Sequence, residues 1–192
     1  MKFILLFIIF PIIAYSQDCK TLNQINSFKG IKFGQTLPQP LIKYFRKSGQ
    51  FYFLKNDINL DPPKSYHDFN GFYFENMSLD LFDDSIVYSA AIWSTLDAVD
   101  SQQIEDHQPL LKYANLVREI TELFGDSTYT EEKYDNYSSL FGAEFKTVWK
   151  CDKTKIELTV TYGSTTIEVN SIEIVFTSIE LEKKKKLQQL TK

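Results

Sequence analysis

Two stretches of the chain alternate apolar and polar residues without interruption. Ile156, Leu158, Val160 and Tyr162 interleave with Lys155, Glu157, Thr159 and Thr161, and Ile172, Ile174 and Phe176 repeat the scheme. A period of two sends successive side chains to opposite faces, so both read as strands with one buried face. Strands are predicted over 145–151, 155–162 and 166–178. Upstream, 69–75, 78–82 and 86–94 read as extended, and Asp83-Asp84-Ser85 is a hairpin turn between the last two. Residues 28–34 and 51–54 are shorter extended segments, with a turn-rich loop over 55–68.

The period changes to three and four between these strands. Leu110, Tyr113, Ala114, Val117, Ile120 and Phe124 share a helical stripe that leaves Lys112 on the polar face. Pro109 suits the first turn and Gly125 the C-terminal cap. An earlier helix is expected from Thr36 to a stop at Gly49, with Leu41, Ile42 and Phe45 on one face. Residues 95–108 form an acidic linker and 126–139 a polar loop. Over 179–192 a terminal helix places Glu180 and Glu182 four residues before Lys184 and Lys186.

The order is helix then antiparallel strands, twice. This predicts one α+β domain over 17–192, with pseudo-repeated halves at 28–94 and 109–178 followed by the terminal helix 179–192. Its sheet is mainly antiparallel, with two amphipathic helices on one face.

Gly30-Ile31-Lys32-Phe33-Gly34 before the first helix, Leu123-Phe124-Gly125 ending the second, and a late strand with Trp149 form a pattern. It resembles a broad, mostly uncharacterised group of small exported bacterial α+β proteins with a G-I-x-[F/W]-G start. The likeness spans roughly residues 28–178. It implies a fold and carries over no catalytic residue.

The first residues modify this picture. Lys2, an apolar run over 3–14 and the small residues of Ala14-Tyr15-Ser16 read as an export signal over 1–16. A run of about 12 apolar residues is too short to cross a bilayer as a helix, and no later segment approaches that length. Asp18 before Cys19 argues against a lipid anchor. The protein is therefore expected in the periplasm or outside the cell. There the only two cysteines, Cys19 and Cys151, most simply form a disulfide.

Composition narrows the function classes. The chain has 192 residues, 43% hydrophobic and 24% charged, which fits a globular fold. A formal charge of −4, with Arg46 and Arg118 as the only arginines, argues against a nucleic-acid partner. No phosphate-cradling or dinucleotide-binding glycine motif occurs, and no cofactor is expected.

Candidate chemistry is sparse. His67 and His107 each adjoin a carboxylate, Asp68 and Asp106, but no serine stands in a nucleophile elbow. Asp57, Asn59, Asp61 and Asp68 copy the spacing of a calcium loop, yet Pro62 stands where the sharp turn needs glycine. Neither cysteine has a neighbour at metal-ligand spacing, so no metal site is expected. Asp80, Asp83, Asp84, Asp97, Asp100, Glu105 and Asp106 supply carboxylates that sequence alone cannot pair. The Lys183 to Lys186 run reads as a charged helix face.

Tyr129, Tyr134 and Tyr137 stand among Glu131, Glu132 and Asp135 in a segment with no burial period. Tyrosine among small polar residues is the composition of adaptable binding loops. The expected function is binding of another protein, as an inhibitor or immunity protein of the envelope, through this loop. The alternatives are a cell-wall or carbohydrate hydrolase using carboxylates or histidine, and an envelope-assembly or ligand-carrier protein.

Overall fold

The computed structural model describes residues 19–55, 60, 62–96, 108–137, 140–163 and 170–190. The export signal, His107 and most of the calcium-like spacing lie outside them, as do Asp97, Asp100, Glu105 and Asp106.

The chain opens with α1 (Cys19–Leu22) and the small hairpin β1 (Ser27–Phe28) and β2 (Ile31–Lys32). Then come α2 (Gln39–Ile42), β3 (Phe45–Ser48) and β4 (Phe51–Leu54). A single 3-10 turn at Lys64–Tyr66 leads into β5 (Asp68–Phe69) and β6 (Phe72–Tyr73). Long strands β7 (Asn76–Phe82) and β8 (Ile86–Leu96) precede α3 (Gln108–Phe124). The chain ends with β9 (Tyr129–Tyr137), β10 (Leu140–Lys150), β11 (Thr154–Gly163), β12 (Asn170–Ser178) and α4 (Ile179–Leu190).

Eight strands make one antiparallel sheet in the order β3-β4-β7-β8-β12-β11-β10-β9. Each half of the sheet is a meander in chain order, and the two meet at β8 and β12. The α+β class with a mainly antiparallel sheet thus holds. The first half has no counterpart to α3, because α2 is only four residues long and Phe45 already starts β3. Gly49 does not stop a helix; it takes a left-handed φ of 56° in the turn between β3 and β4.

Tight turns follow their local chemistry. Lys29-Gly30, Asn70-Gly71 and Asp83-Asp84 each place two successive residues at positive φ, between 51° and 85°. Paired left-handed residues match the twist of the flanking strands, and Asn-Gly is the strongest short signal for such a hairpin. That signal splits the predicted extended segment 69–75 into β5 and β6.

One face of the sheet carries the core. Ile156, Leu158, Ile172, Ile174 and Ile92 are fully buried there, beneath α3 and the small hairpins. Phe28 and Phe69 both pack on Phe176, with ring centroids 4.7 and 5.7 Å away. Helix α3 contributes Leu116 and Ile120, both fully buried, while Ala114 is exposed. Tyr113, Val117 and Phe124 pack against the same core, so over the described residues the stripe read in the sequence holds except that Leu116 joins it and Ala114 leaves it. Lys112 also departs from the expected polar face: its ammonium lies 5.1 Å from the Phe74 ring centroid and donates to the Tyr73 carbonyl at 3.4 Å. Burial lowers its pKa, with Glu75 opposing. At the end of α3, Gly125 has φ 76°, its N–H returns to Thr121 O, and its carbonyl accepts the indole N–H of buried Trp149 at 3.2 Å.

Cys19 and Cys151 form a disulfide with Cα atoms 5.5 Å apart. Two further bonds fasten the same N-terminal segment to the start of β11. Lys153 N–H donates to the Asn23 side chain at 2.9 Å, and Thr154 Oγ1 donates to the Ile25 carbonyl at 2.9 Å. No helix among the described residues is long and apolar enough to cross a membrane.

A groove on the open face of the sheet

Cross-strand partners share a face, so the register identifies what the second face presents. One row runs Arg46, Phe53, Ser78, Ala91, Val175 and Glu157. The next runs Asn76, Trp93, Glu173, Thr159 and Lys146, ending at Glu131 on β9. A third contains Phe51, Asp80, Ser89, Thr177 and Lys155. Helix α4 folds back over this third row. Ser89 and Thr177 are buried there and share a hydrogen bond of 3.2 Å.

Beyond α4 the face is open. Phe51, Phe53, Asp80, Trp93, Glu173 and Val175 line a depression of about 430 Å³. Phe51 and Phe53 stand together with ring centroids 5.9 Å apart, and Phe51 is 41% exposed. Phe53 and Trp93 also border a second depression of about 490 Å³, which Arg46 and Lys55 flank. Aromatic rings with a few convergent polar groups are the usual lining of a binding surface.

Charges on this face are mostly paired. Lys155 lies 2.7 Å from Glu157 and 3.5 Å from Glu182, while Lys146 reaches Glu157 at 3.7 Å and Lys186 reaches Glu182 at 2.9 Å. Burial pulls the Lys155 pKa down, but Glu157 and Glu182 outweigh it and hold the ammonium above its ordinary value. A bulge in β8 follows from the register, where Asp80 faces Ser89 but Leu81 faces Val87. The extra residue, Tyr88, is thereby brought to Asp80, and its hydroxyl donates to the carboxylate at 3.3 Å. Burial raises the Asp80 pKa against the pull of Lys185 and of this bond.

Glu173 is different. It is half-buried, and no hydrogen bond or ion pair reaches it among the described residues. Burial raises its pKa, Asp80 and Glu157 raise it further, and Lys146 opposes them. A carboxyl raised in the folded state weakens the fold when ionised. That cost is present at neutral pH and fades as pH falls through the raised value toward the ordinary carboxylate range. Glu173→Gln is therefore expected to raise the melting temperature at pH 7, with the gain shrinking toward zero near pH 4. An equal gain at both pH values would assign the effect to packing instead.

The candidates read from sequence fall elsewhere. Residues 129–137 are not a loop but the edge strand β9, paired with β10 along its length. A strand does not gather positions 129, 134 and 137 at one tip. The Asp135 backbone pairs with Gly142, Tyr134 with Ala143 and Tyr137 with Leu140. Tyr129 and Glu131 occupy open-face rows at the far edge, and Tyr129 is 48% exposed. Glu132 is exposed on the same strand. His67 is held by a bond of 2.9 Å between Nδ1 and the Phe74 carbonyl and stacks on Tyr73. Asp83 and Asp84 are turn residues, and the Asp84 carbonyl accepts Lys47 Nζ at 2.7 Å. No metal-holding group of histidine, cysteine and carboxylates occurs among the described residues. In the lysine run, Lys184 and Lys186 take Glu180 and Glu182 as predicted, at 2.7 and 2.9 Å.

The sequence reading did not single out Trp93, Phe53 or Glu173. Its usable signal was aromatic residues at the non-core positions of β4 and β8, where a solvated face would carry polar ones. Comparison with protein-family models, with curated proteins and with solved structures returns no match.

Proposed function

We propose that this is an exported, non-catalytic protein, periplasmic or secreted, that binds another protein through the open face of its sheet. Inhibition or neutralisation of an envelope enzyme or toxin is the form of activity that suits it best. The observation that carries this reading is the cluster of Phe51, Phe53 and Trp93 on the face that α4 leaves uncovered. A contiguous aromatic surface of this kind favours a partner interface. The disulfide between Cys19 and Cys151 supports an oxidising compartment.

Hydrolysis by paired carboxylates has one observation in its favour, the raised pKa values of Asp80 and Glu173 in one groove. Backbone spacing weighs against it. The two residues lie two strands apart and four residues along β8, between Ser89 and Trp93. That puts their Cα atoms about 16 Å apart, and the Asp80 carboxylate is already bonded to the Tyr88 hydroxyl.

The test is capture from envelope and culture-medium extracts by the immobilised, oxidised protein. One partner near 1:1 stoichiometry is expected, with affinity lowered about thirtyfold by Trp93→Ala at an almost unchanged melting temperature. No saturable partner, or a partner indifferent to both Trp93→Ala and Phe53→Ala, would overturn the reading.

A further inference from the structure

We propose that the groove recognises an arginine side chain of the partner protein, with Glu173 as its counter-charge and Trp93 as the aromatic surface it lies against. The inference rests on the binding reading above and adds the chemistry of the recognised group.

The argument begins with the unmatched charge. The other carboxylates around the groove have partners within the chain: Glu157 has Lys146 and Lys155, Glu182 has Lys155 and Lys186, and Asp80 has the Tyr88 hydroxyl. These lysines are occupied by the same pairs; Lys146 acts on Glu173 only through space, and no ion pair reaches Glu173 among the described residues. Arg46 cannot fill the gap. It lies on β3, four strands from β12, which is about 19 Å and well beyond the reach of a side chain. Among the described residues no ion pair is made to Glu173, so a cation brought by a partner would complete the groove.

The surroundings of Glu173 define what kind of cation fits. Trp93 is its direct cross-strand partner on β8, and such neighbours have Cβ atoms about 5 Å apart. Phe53 and Phe51 line the same depression. A carboxylate beside an indole offers an ion pair and a cation–π contact to the same group. A planar guanidinium uses both better than an ammonium, because it stacks on rings, is less strongly hydrated and bonds a carboxylate through two parallel N–H groups. Burial, Asp80 and Glu157 raise the Glu173 pKa against the pull of Lys146, so its ionised form gains from a cation placed directly beside it.

The two tryptophans provide the experiment. Trp149 is fully buried with its indole N–H bonded to Gly125, so its NMR signal serves as an internal control for that of Trp93. The oxidised protein is titrated at pH 7 with the blocked tripeptides Gly-Arg-Gly, Gly-Lys-Gly and Gly-Glu-Gly, and with spermidine. A saturable shift of the Trp93 indole is expected with Gly-Arg-Gly, weaker with Gly-Lys-Gly and absent with Gly-Glu-Gly. The Trp149 signal should stay in place throughout. Glu173→Gln should weaken Gly-Arg-Gly at least fivefold while remaining folded. Equal response to arginine and glutamate peptides, or undiminished affinity in Glu173→Gln, would overturn the proposal. Tighter binding of spermidine than of Gly-Arg-Gly would overturn the protein-borne source of the cation. A captured partner that needs Trp93 but is unaffected by Glu173→Gln would remove the arginine and leave the binding reading standing. A partner indifferent to both would remove the reading itself.

Discussion

Ile120→Asp is expected to leave the protein largely unfolded at 25 °C. Ile120 is fully buried on α3, next to Leu116 and facing the sheet. Truncating such a side chain alone costs about 2–5 kcal/mol. A carboxylate without a partner adds several more, or must take up a proton to remain inside. The sum passes about 5 kcal/mol, the lower end of the total stability of a domain. Glu122→Gln, at a position 67% exposed and in a 4.0 Å pair with Arg118, should stay within about 0.5 kcal/mol. Lys112→Asp should fall between them, since it loses the contacts with Phe74 and Tyr73. Circular-dichroism melts of the three variants decide the matter. Similar melting temperatures for Ile120→Asp and Glu122→Gln would refute the placement of α3.

Reduction of the disulfide should have the next largest effect. Cys19 and Cys151 are 132 positions apart, so their bond removes a large loop from the freedom of the unfolded chain. The loop-entropy estimate is about 5 kcal/mol, and native disulfides in small exported domains are typically worth about 2–5. For a domain of this size each kcal/mol moves the melting temperature by about 2–4 °C. A drop of about 10 °C is therefore expected when the protein is melted in excess reductant. The N-terminal segment should loosen first, because only the burial of Leu22 and the bonds that Asn23 and Ile25 accept from Lys153 and Thr154 then hold it. Reduced and oxidised forms melting within about 2 °C of one another would show that these contacts suffice.

Legibility in the sequence followed the range of the interactions. Strands β11 and β12 could be read because each buries one face, so alternation is carried by the residues themselves. Helix α3 was visible for the same reason, although a stripe defined by spacing alone included Ala114 and passed over Leu116. The failures were at α2 and β9. Residues 36–48 have helical spacing, but the helix keeps only Gln39–Ile42, because the pairing of Phe45 with Leu54 draws Phe45–Ser48 into the sheet. The groove was not legible at all. Phe53, Trp93 and Glu173 come from three distant strands, and only the registers of β4, β8 and β12 bring them together. The disulfide was the exception among long-range features, since two cysteines admit a single pairing.

Strand β9 was missed because Glu131, Glu132 and Lys133 interrupt any apolar pattern. Those charges have a use that belongs to the sheet rather than to any ligand. An open sheet ends in two rows of unsatisfied backbone groups, each a template onto which another molecule could add a strand. At one end β3 is only four residues long and carries Arg46 and Lys47. At the other, β9 is long enough to be dangerous, and stacking a second copy against it would crowd like charges at Glu131 and Glu132. Lys133, 3.4 Å from Glu131 and 3.6 Å from Glu144, holds part of that charge in place along the border. The composition that makes this strand resemble a loop is the kind that disfavours addition of a further strand at an exposed edge.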